Sequence, residues 1–234
     1  MNKVDKIMEE LQDYASEEKA AVYRRFFKTG KGEYGEGDKF IGLTVPEQRK
    51  IAQKYVDVSF DDVKKLLKSE IHEHRLTGFF ILVYKFEKAD ESEKKEIAEF
   101  YLDNLDRANN WDLIDCVADK ILGPYYFEKD ISMLYLLARS DNLWERRISI
   151  ITTFYFIKQN SFEDTLKIAE ILLKDKHDLI HKAVGWMLRE VGKRDQEVEE
   201  EFLKKHYKNM PRTMLRYAIE RFSKEKKEFY MKKN

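Results

Sequence analysis

Apolar residues recur every three or four positions along most of this chain, a spacing that marks the buried face of an α-helix. The pattern predicts helices over residues 3–15 and 17–29. A further helix is predicted to begin after Thr44, a suitable N-cap residue, with Pro46 in its first turn. The glycine-rich residues 30–37 between them match G-x-G-x-x-G, but a dinucleotide-binding loop needs a strand before it and a helix directly after it. We therefore interpret them as a flexible connection.

From residue 59 onward the pattern predicts helix pairs. Their ranges are 60–68 with 71–86, 91–103 with 111–122, 130–138 with 142–158, 162–173 with 177–192, and 196–207 with 211–222. When the second helices are aligned, Arg75, Trp111, Arg147, Lys182 and Arg216 share one phase, at intervals of 36, 36, 35 and 34 residues. Two-helix units of this length predict an all-α solenoid of HEAT-like repeats, a single domain over residues 1–234 with a concave face. A regular antiparallel bundle is the alternative, and the recurring basic residue favours the solenoid.

Composition supports an all-helical protein. The chain has 234 residues, of which 38% are charged and 43% hydrophobic, with 9 Gly and only 3 Pro. The single cysteine, Cys116, excludes an intramolecular disulfide framework and is typical of a reducing compartment. No apolar run approaches the roughly 18 residues of a membrane span. We expect a soluble, cytoplasmic protein with no membrane partner.

The formal net charge is zero, which taken alone argues against a nucleic-acid partner. The charge is nevertheless polarised along the chain. Residues 1–140 carry 23 basic and 28 acidic residues, a net of −5, whereas residues 141–234 carry 21 and 16, a net of +5. From Phe202 to the end there are 11 basic and 3 acidic residues, a net of +8. Either a local basic surface or a solvated lysine-rich tail explains this excess.

The residues at the shared phase suggest a site. Arg75, Arg147, Lys182 and Arg216 would form a row of positive charge suited to phosphates. Trp111 interrupts this row, with Asp115 one helical turn further on, and Trp186 follows Lys182 by four residues. Two indoles, a carboxylate and flanking cations are unlike an ordinary core. The alternatives are that both tryptophans are core residues, and that Asp112 is the functional carboxylate in place of Asp115.

Five segments together resemble one family. They are Lys39–Arg49 (KFIGLTVPEQR), Trp111–Asp115 (WDLID), Leu143–Arg147 (LWERR), His181–Glu190 (HKAVGWMLRE) and Arg212–Ala218 (RTMLRYA). The chain resembles the DNA alkylation repair enzymes, the AlkD-like alkylpurine DNA glycosylases, over nearly its whole length. The resemblance implies that Asp115 is the catalytic carboxylate, that Trp111 and Trp186 are aromatic walls and that Arg147 lies in the cleft. Arg146 stays an alternative to Arg147.

The basic residues of these repeats are expected to bind double-stranded DNA that carries alkylated purines. They are Arg75, Arg146, Lys182, Arg189, Arg212 and Arg216. N3- or N7-alkylation makes a purine cationic, and a carboxylate near C1′ would stabilise the oxocarbenium character that develops on the sugar. The resemblance implies a reaction on the sugar side, without a pocket that encloses the base. We expect a monomer that uses no cofactor and no metal ion.

Other features have simpler explanations. His177 and His181 have a spacing that can bind zinc, but no third ligand lies nearby, so we expect surface or phosphate-contacting histidines. Cys116 lacks an activating histidine and is expected to pack inside its helix. The run Glu197–Glu201 is expected to be a solvated first helical turn.

Two other functions remain open from the sequence. One is a non-catalytic relative that binds distorted or branched DNA through the same basic residues. The other is a HEAT-like protein–protein scaffold, for which partner binding would not depend on salt. The sequence does not indicate the preference between N3- and N7-alkyl lesions, the acceptance of bulky adducts, or the partners that act downstream.

Overall fold

A computed structural model describes residues 2–232 as helices joined by short connections, with one isolated β-bridge between Lys39 and Ile71 and no strand in that range. The all-α prediction is therefore confirmed. The chain divides into two compact units, residues 1–117 (unit 1) and residues 118–234 (unit 2). No described helix is both long enough and apolar enough to cross a membrane.

Unit 1 contains seven α-helices in its described part. They are α1 (Lys3–Asp13), α2 (Glu17–Phe26), α3 (Val45–Lys54), α4 (Phe60–Leu67), α5 (His72–Lys88), α6 (Glu91–Leu102) and α7 (Trp111–Asp115), with a 3₁₀ turn at Leu105–Arg107 before α7. Helix α5 is buried along most of its length because α3, α4, α6 and α7 all pack against it. It therefore forms the core of unit 1.

Unit 2 contains the remaining helices. They are α8 (Ala118–Tyr126), α9 (Ser132–Leu137), α10 (Leu143–Lys158), α11 (Glu163–Leu172), α12 (Asp178–Arg194), α13 (Gln196–His206), α14 (Arg212–Ala218) and α15 (Lys224–Met231), with a 3₁₀ turn at Ile219–Arg221. Helices α8, α10, α12 and α14 pack side by side in that order, while α9, α11 and α13 pack against this row. These neighbour relations are those of stacked helix pairs.

Local capping explains why the helices begin where the pattern predicts. Glu47, in the first turn of α3, accepts hydrogen bonds from the backbone N–H and the hydroxyl of Thr44 at 2.7 Å each, and so completes a capping box. Ser16 and Asp195 are the N-cap residues of α2 and α13, and their side-chain oxygens accept hydrogen bonds from backbone amides of the first turn. The predicted Thr44 N-cap is confirmed.

The structure differs most from the predicted helices at two places. The predicted helix 111–122 is two helices, because α7 ends at Asp115 and residues 116–117 form a turn before α8 begins. The amide of Val117 bonds the carbonyl of Ile114, three residues back, which tightens the end of α7. Beyond the last predicted pair, α15 occupies part of the basic C-terminal segment, so this part of the supposed tail is helical.

Glu199 corrects the expectation of a wholly solvated turn at Glu197–Glu201. Its side chain is buried against Gly192 of α12. Burial, assisted by the nearby Glu200 and opposed by Arg189, raises the pKa of Glu199 to about 9. The carboxyl group is consequently neutral at physiological pH, which removes the cost of burying a charge.

Gly185 sets the close approach of α12 to α14. A Cβ atom at this position would lie 2.4 Å from the carbonyl oxygen of Met214 and 2.5 Å from Cβ of Tyr217. We expect Gly185→Ala to destabilise the protein by about 1–3 kcal/mol, because α14 must move away. The urea unfolding midpoint measures this loss. Gly30→Ala is the control, since its Cβ would meet only the flexible carboxylate of Glu33, and equal midpoints for both variants would contradict the prediction.

Candidate active site

The segment Asn109–Asp115 is anchored by its polar side chains. The Asn110 side chain, wholly buried, caps α7 by accepting a hydrogen bond from the Trp111 amide at 2.9 Å, while its Nδ2 donates to Asp38 at 3.3 Å. Asp112 Oδ1 accepts from the Leu113 amide at 2.9 Å. Trp111 and Asp115 are the first and last residues of α7, and both are partly exposed.

A buried chain of charged groups lies beneath this segment. The imidazole of His72 contacts Asp38 through Nδ1 and Asp112 through Nε2, each at 2.8 Å. Arg75, also on α5, donates to the other oxygen of Asp38, to Asn109 Oδ1 at 3.1 Å and to the Ser69 carbonyl at 2.9 Å. We call Asp38, His72, Arg75 and Asp112 the buried relay. It connects the loop before α3, the start of α5 and the start of α7.

The relay holds its charges by mutual pairing. Burial acts to lower the pKa of His72, but the Asp112 and Asp38 carboxylates outweigh it and raise that pKa to about 9. Burial acts to raise the pKa of Asp38, but the hydrogen bonds and charges of His72 and Arg75 prevail and lower it. His72 is therefore an imidazolium at neutral pH, bonded on both ring nitrogens.

Trp111 packs against aromatic rings instead of standing alone. Its ring stacks on Phe27 at a centroid distance of 5.0 Å, and Phe27 stacks on Phe40 at 5.0 Å. Phe40 in turn stacks on the imidazole of His72 at 4.5 Å, and Phe26 meets Trp111 edge-on at 5.7 Å. Trp111 is thus partly a core residue, because its indole packs against these rings inside unit 1.

A cavity of about 250 Å³ opens beside this aromatic stack, entirely within unit 1. Its walls are mainly the rings of Tyr23, Phe26, Phe27, Phe40 and Trp111. Gln48, His72, Glu73, Asp112 and Cys116 supply its polar part. The cavity needs no insertion in the chain, since α2, α3, the loop between them and the starts of α5 and α7 form it.

The two candidate arginines on α10 differ in their surroundings. Arg146 pairs with Asp175 at 2.6 Å and donates to the carbonyls of Ser140 and Asp141 at 2.9 Å each. Arg147 is only 5% exposed and donates to the Leu179 carbonyl at 2.6 Å. Both guanidinium groups are held in place by unit 2, with Arg147 the deeper of the two.

The candidates on α12 are also engaged within unit 2. Lys182 pairs with Asp178 at 2.7 Å. Trp186 lies 5.7 Å from the Phe154 ring and donates to Glu190 at 3.0 Å, so its indole is partly buried. Arg189 pairs with Glu220 of the 3₁₀ turn after α14, which ties α12 to this turn.

The remaining basic candidates differ in whether they are exposed or buried. Arg212 and Arg216 on α14 are exposed, and Arg216 makes a long contact of 3.4 Å to the Thr213 hydroxyl. Arg75 lies inside unit 1, where Asp38 and Asn109 hold it. The structure therefore gives Arg75 a positioning role, and it does not present this guanidinium at a surface as the repeat phase suggested.

The other polar candidates have local roles. His177 caps α12, and His181 bonds the Asp175 carbonyl at 2.6 Å. Across residues 2–232, no three His, Cys, Asp or Glu side chains meet in a way that could hold a metal ion. Cys116, partly exposed, lines the cavity beside Trp111.

His72, Asp38 and the cavity were not predicted from the sequence. His72 and Arg75 are one turn apart on α5, so their shared face was a usable signal. Asp38 lies 34 residues before His72, in a loop, and nothing in the sequence pairs the two.

The family of DNA alkylation repair enzymes matches residues 7–222, so the chain belongs to that family. A predicted DNA alkylation repair enzyme from Enterococcus faecalis has the same fold, with a TM-score of 0.68 and 15% identity over 90% of this chain and 97% of that one. No match was found among curated protein sequences.

Two further solved structures share the fold. AlkD2 from Streptococcus mutans aligns with a TM-score of 0.60 and 18% identity, covering 88% of this chain and 97% of its own. The protein smu.31 from Streptococcus mutans UA159 aligns with a TM-score of 0.57 and 19% identity, covering 74% and 89%. The prediction of an AlkD-type helical repeat fold is thereby confirmed.

The charge on His72 predicts a pH dependence. Its folded-state pKa of about 9 exceeds the ordinary 6.5, so its ion pairs stabilise the fold fully below that ordinary value and are lost as the pH rises through 9. We expect His72→Gln to cost roughly 3–5 kcal/mol at neutral pH, since two buried carboxylates lose their partner. The gap between wild type and variant should narrow as the pH is raised.

Urea unfolding at a series of pH values measures this gap. His206→Gln is the control, because His206 lies at the partly exposed end of α13, 3.4 Å from Glu170. A gap that stays constant between neutral pH and pH 10 would contradict a charged His72.

Proposed function

We propose that this protein is a DNA glycosylase that hydrolyses the N-glycosidic bond of N3- and N7-alkylated purines in duplex DNA. The observation that carries the proposal is the anchoring of Trp111 and Asp115 on α7 by the buried relay, in a chain of the DNA alkylation repair family. A catalytic carboxylate must be held in place to stabilise a transition state. The buried relay lies beneath α7 and holds this helix in place.

The chemistry suits the residues. Alkylation at N3 or N7 gives the purine a positive charge and weakens its bond to the sugar. As that bond breaks, positive charge develops on the deoxyribose, where the Asp115 carboxylate stabilises it and orients the attacking water. The indole faces of Trp111 and Trp186 favour cations by about 0.5–2 kcal/mol per contact. Neutral lesions lack this assistance and should be poor substrates.

The basic residues hold the DNA backbone in this proposal. We assign Arg147 to a phosphate next to the lesion, although it is buried as deeply as Arg75 and would have to turn from the Leu179 carbonyl, and the partly exposed Arg146 is the alternative. Lys182, Arg189, Arg212 and Arg216 would contact further phosphates, which position the duplex without reading its sequence. The enzyme would act as a cytoplasmic monomer without a cofactor, as the sequence predicts.

The first prediction from this proposal concerns Asp115. We expect Asp115→Asn to lower the single-turnover rate of base release from duplex DNA with N7-methylguanine by about 10²–10³-fold, while DNA binding persists. Asp13→Asn, at the exposed end of α1, is the matched control and should leave the rate unchanged. Full excision by Asp115→Asn would refute its assignment. An inactive wild type that still binds the duplex would favour the DNA-structure binder.

The variant Asp112→Asn distinguishes the role of Asp112 from that of Asp115, the other carboxylate on α7. Asp112 bonds His72, so its replacement should lower the urea midpoint, whereas Asp115→Asn should leave most of the stability intact. Both variants are compared by urea unfolding and by excision in the same buffer. Equal losses of stability would contradict the division of roles.

Salt dependence tests the phosphate contacts. The logarithm of DNA affinity should fall linearly with the logarithm of salt concentration, and Arg216→Ala should reduce this slope by about 1. Lys204→Ala removes the same charge from the exposed surface of α13 and is the control. Fluorescence anisotropy at several salt concentrations gives the slopes. A slope near zero for the wild type would favour the protein–protein scaffold.

A further inference from the structure

Two lysines of unit 2 share one buried carboxylate. Asp119, in the first turn of α8, has a side chain that is only 3% exposed. One of its oxygens pairs with Lys120 at 3.1 Å, and the other pairs with Lys158, the last residue of α10, at 2.8 Å. We call Lys120 and Lys158 the lysine pair. Together they carry one positive charge more than Asp119 neutralises.

The lysine pair is held in place but stays accessible. The side chains of Lys120 and Lys158 are 35% and 39% exposed. Besides its contact with Asp119, Lys158 Nζ lies 4.0 Å from the centre of the Phe154 ring. Free lysine side chains lose much rotamer freedom when they bind an anion. Ammonium groups that are already ordered lose less of it, so this pair is suited to a phosphate.

The helix dipole explains only part of this arrangement. A lysine in the last turn of a helix, such as Lys158, is stabilised by the negative C-terminal end of that helix. Lys120 lies in the first turn of α8, where the positive end of the helix disfavours a cation. Asp119 already has Lys158 as a partner, so a second lysine is not needed to neutralise it. An anion that both lysines can reach accounts for the position of Lys120.

Cations occur at both ends of two neighbouring helices. Arg147 and Lys182 lie in the second turns of α10 and α12, and Lys158 and Lys193 lie eleven residues further on, in the last turns. Eleven residues of helix span about 16 Å. Arg147 bonds the Leu179 carbonyl at the start of α12, so the starts of the two helices lie together. Unit 2 thus has a first row of cations, Arg147 and Lys182, and a second row, the lysine pair and Lys193.

Aromatic rings lie between the two rows. The ring of Phe154, on α10, is 5.7 Å from the ring of Trp186, on α12, and both side chains are partly exposed. Phe154 lies one helical turn before Lys158, and Trp186 lies one turn after Lys182. The surface therefore has cations on two sides and aromatic rings in the middle.

This surface matches the two strands that border a groove of duplex DNA. Each row continues from one helix to the next, as the phosphates of one strand would. A spacing of about 16 Å suits phosphates on the two edges of the major groove, which is roughly 12 Å wide, because the long side chains can lean inwards. Helix N-termini attract phosphates and helix C-termini do not, so a single strand is expected along the first row.

We propose that the lysine pair binds a backbone phosphate of the DNA strand opposite the lesion, across the groove from the strand that the first row holds. The contact would make binding depend on the presence of a second strand. It is thus a determinant of duplex specificity and has no part in the chemical step. This proposal rests on the DNA substrate of the proposed function, but it does not depend on base excision.

The test compares an unmodified duplex with one of its single strands by fluorescence anisotropy at several salt concentrations. We expect Lys158→Gln to reduce the salt slope of duplex binding by about 1, because one phosphate contact is lost. The slope for the single strand should stay unchanged, since that strand lies along the first row. An unchanged duplex slope, or an equal reduction for the single strand, would overturn the proposal. The urea midpoint checks that the variant is folded, as Asp119 keeps Lys120 as its partner.

Two further variants sharpen this test. Lys167→Gln is the matched control, because Lys167 also pairs with a carboxylate, Glu163 at 2.6 Å, but lies on α11 and is 53% exposed. Both of its slopes should equal those of the wild type. Lys120→Gln should act like Lys158→Gln, since the two ammonium groups are assigned to the same phosphate. A Lys120→Gln variant that binds the duplex like the wild type would overturn the shared site.

Excision assays on the same preparations separate this proposal from the proposed function. Duplex binding that depends on the lysine pair, without any base release, would leave the strand contact and remove the glycosylase. Base release by a wild type whose duplex slope is unaffected by Lys158→Gln would do the reverse.

Discussion

The His72 imidazolium, held between Asp38 and Asp112, is the interaction on which the candidate site depends. Helix α7 has only five residues, too few for a helix to be stable by itself in water. Its orientation is therefore set by tertiary contacts, among them the bond from His72 on the core helix α5 to Asp112 in the first turn of α7. A neutral imidazole could donate to only one of the two carboxylates, so the charge on the ring is what makes the double contact possible.

The same imidazole also ends the aromatic stack that supports Trp111. Phe40 lies on the His72 ring and Phe27 lies between Phe40 and Trp111, so polar and apolar supports of α7 converge on one side chain. Gly42 completes this arrangement from the loop, where its φ of 89° and its close approach to the Ser16 carbonyl exclude a side chain. Its amide bonds Glu73, the residue next to His72, which fixes the loop against α5.

Helical periodicity was enough to predict the helix pairs and the repeat fold, since each pair buries one continuous apolar face. The break after Asp115 was not predictable, because residues 111–122 contain no glycine or proline and the turn results from packing. Arg75 shows what the phase of a repeat cannot predict. Alignment of the repeats identifies equivalent positions, but a local partner such as Asp38 decides whether the charged side chain at such a position is buried. Glu199 is the reverse case, in which burial neutralises an expected surface charge.

A net charge of zero is compatible with a protein that binds DNA when its basic and acidic side chains act at different places on the molecule. Affinity for the duplex depends on exposed cations that displace counterions, so Arg212 and Arg216 can contribute more to it than the buried Arg75. The proposed chemistry on a cationic base has a different requirement, because a guanidinium near the lesion that is not paired with a phosphate or a carboxylate would oppose both the substrate and its transition state. In unit 1 the cations of the relay are paired with carboxylates, and this pairing leaves the surroundings of Trp111 aromatic and slightly acidic. A uniformly basic surface would bind DNA more tightly and be less suited to a positively charged lesion.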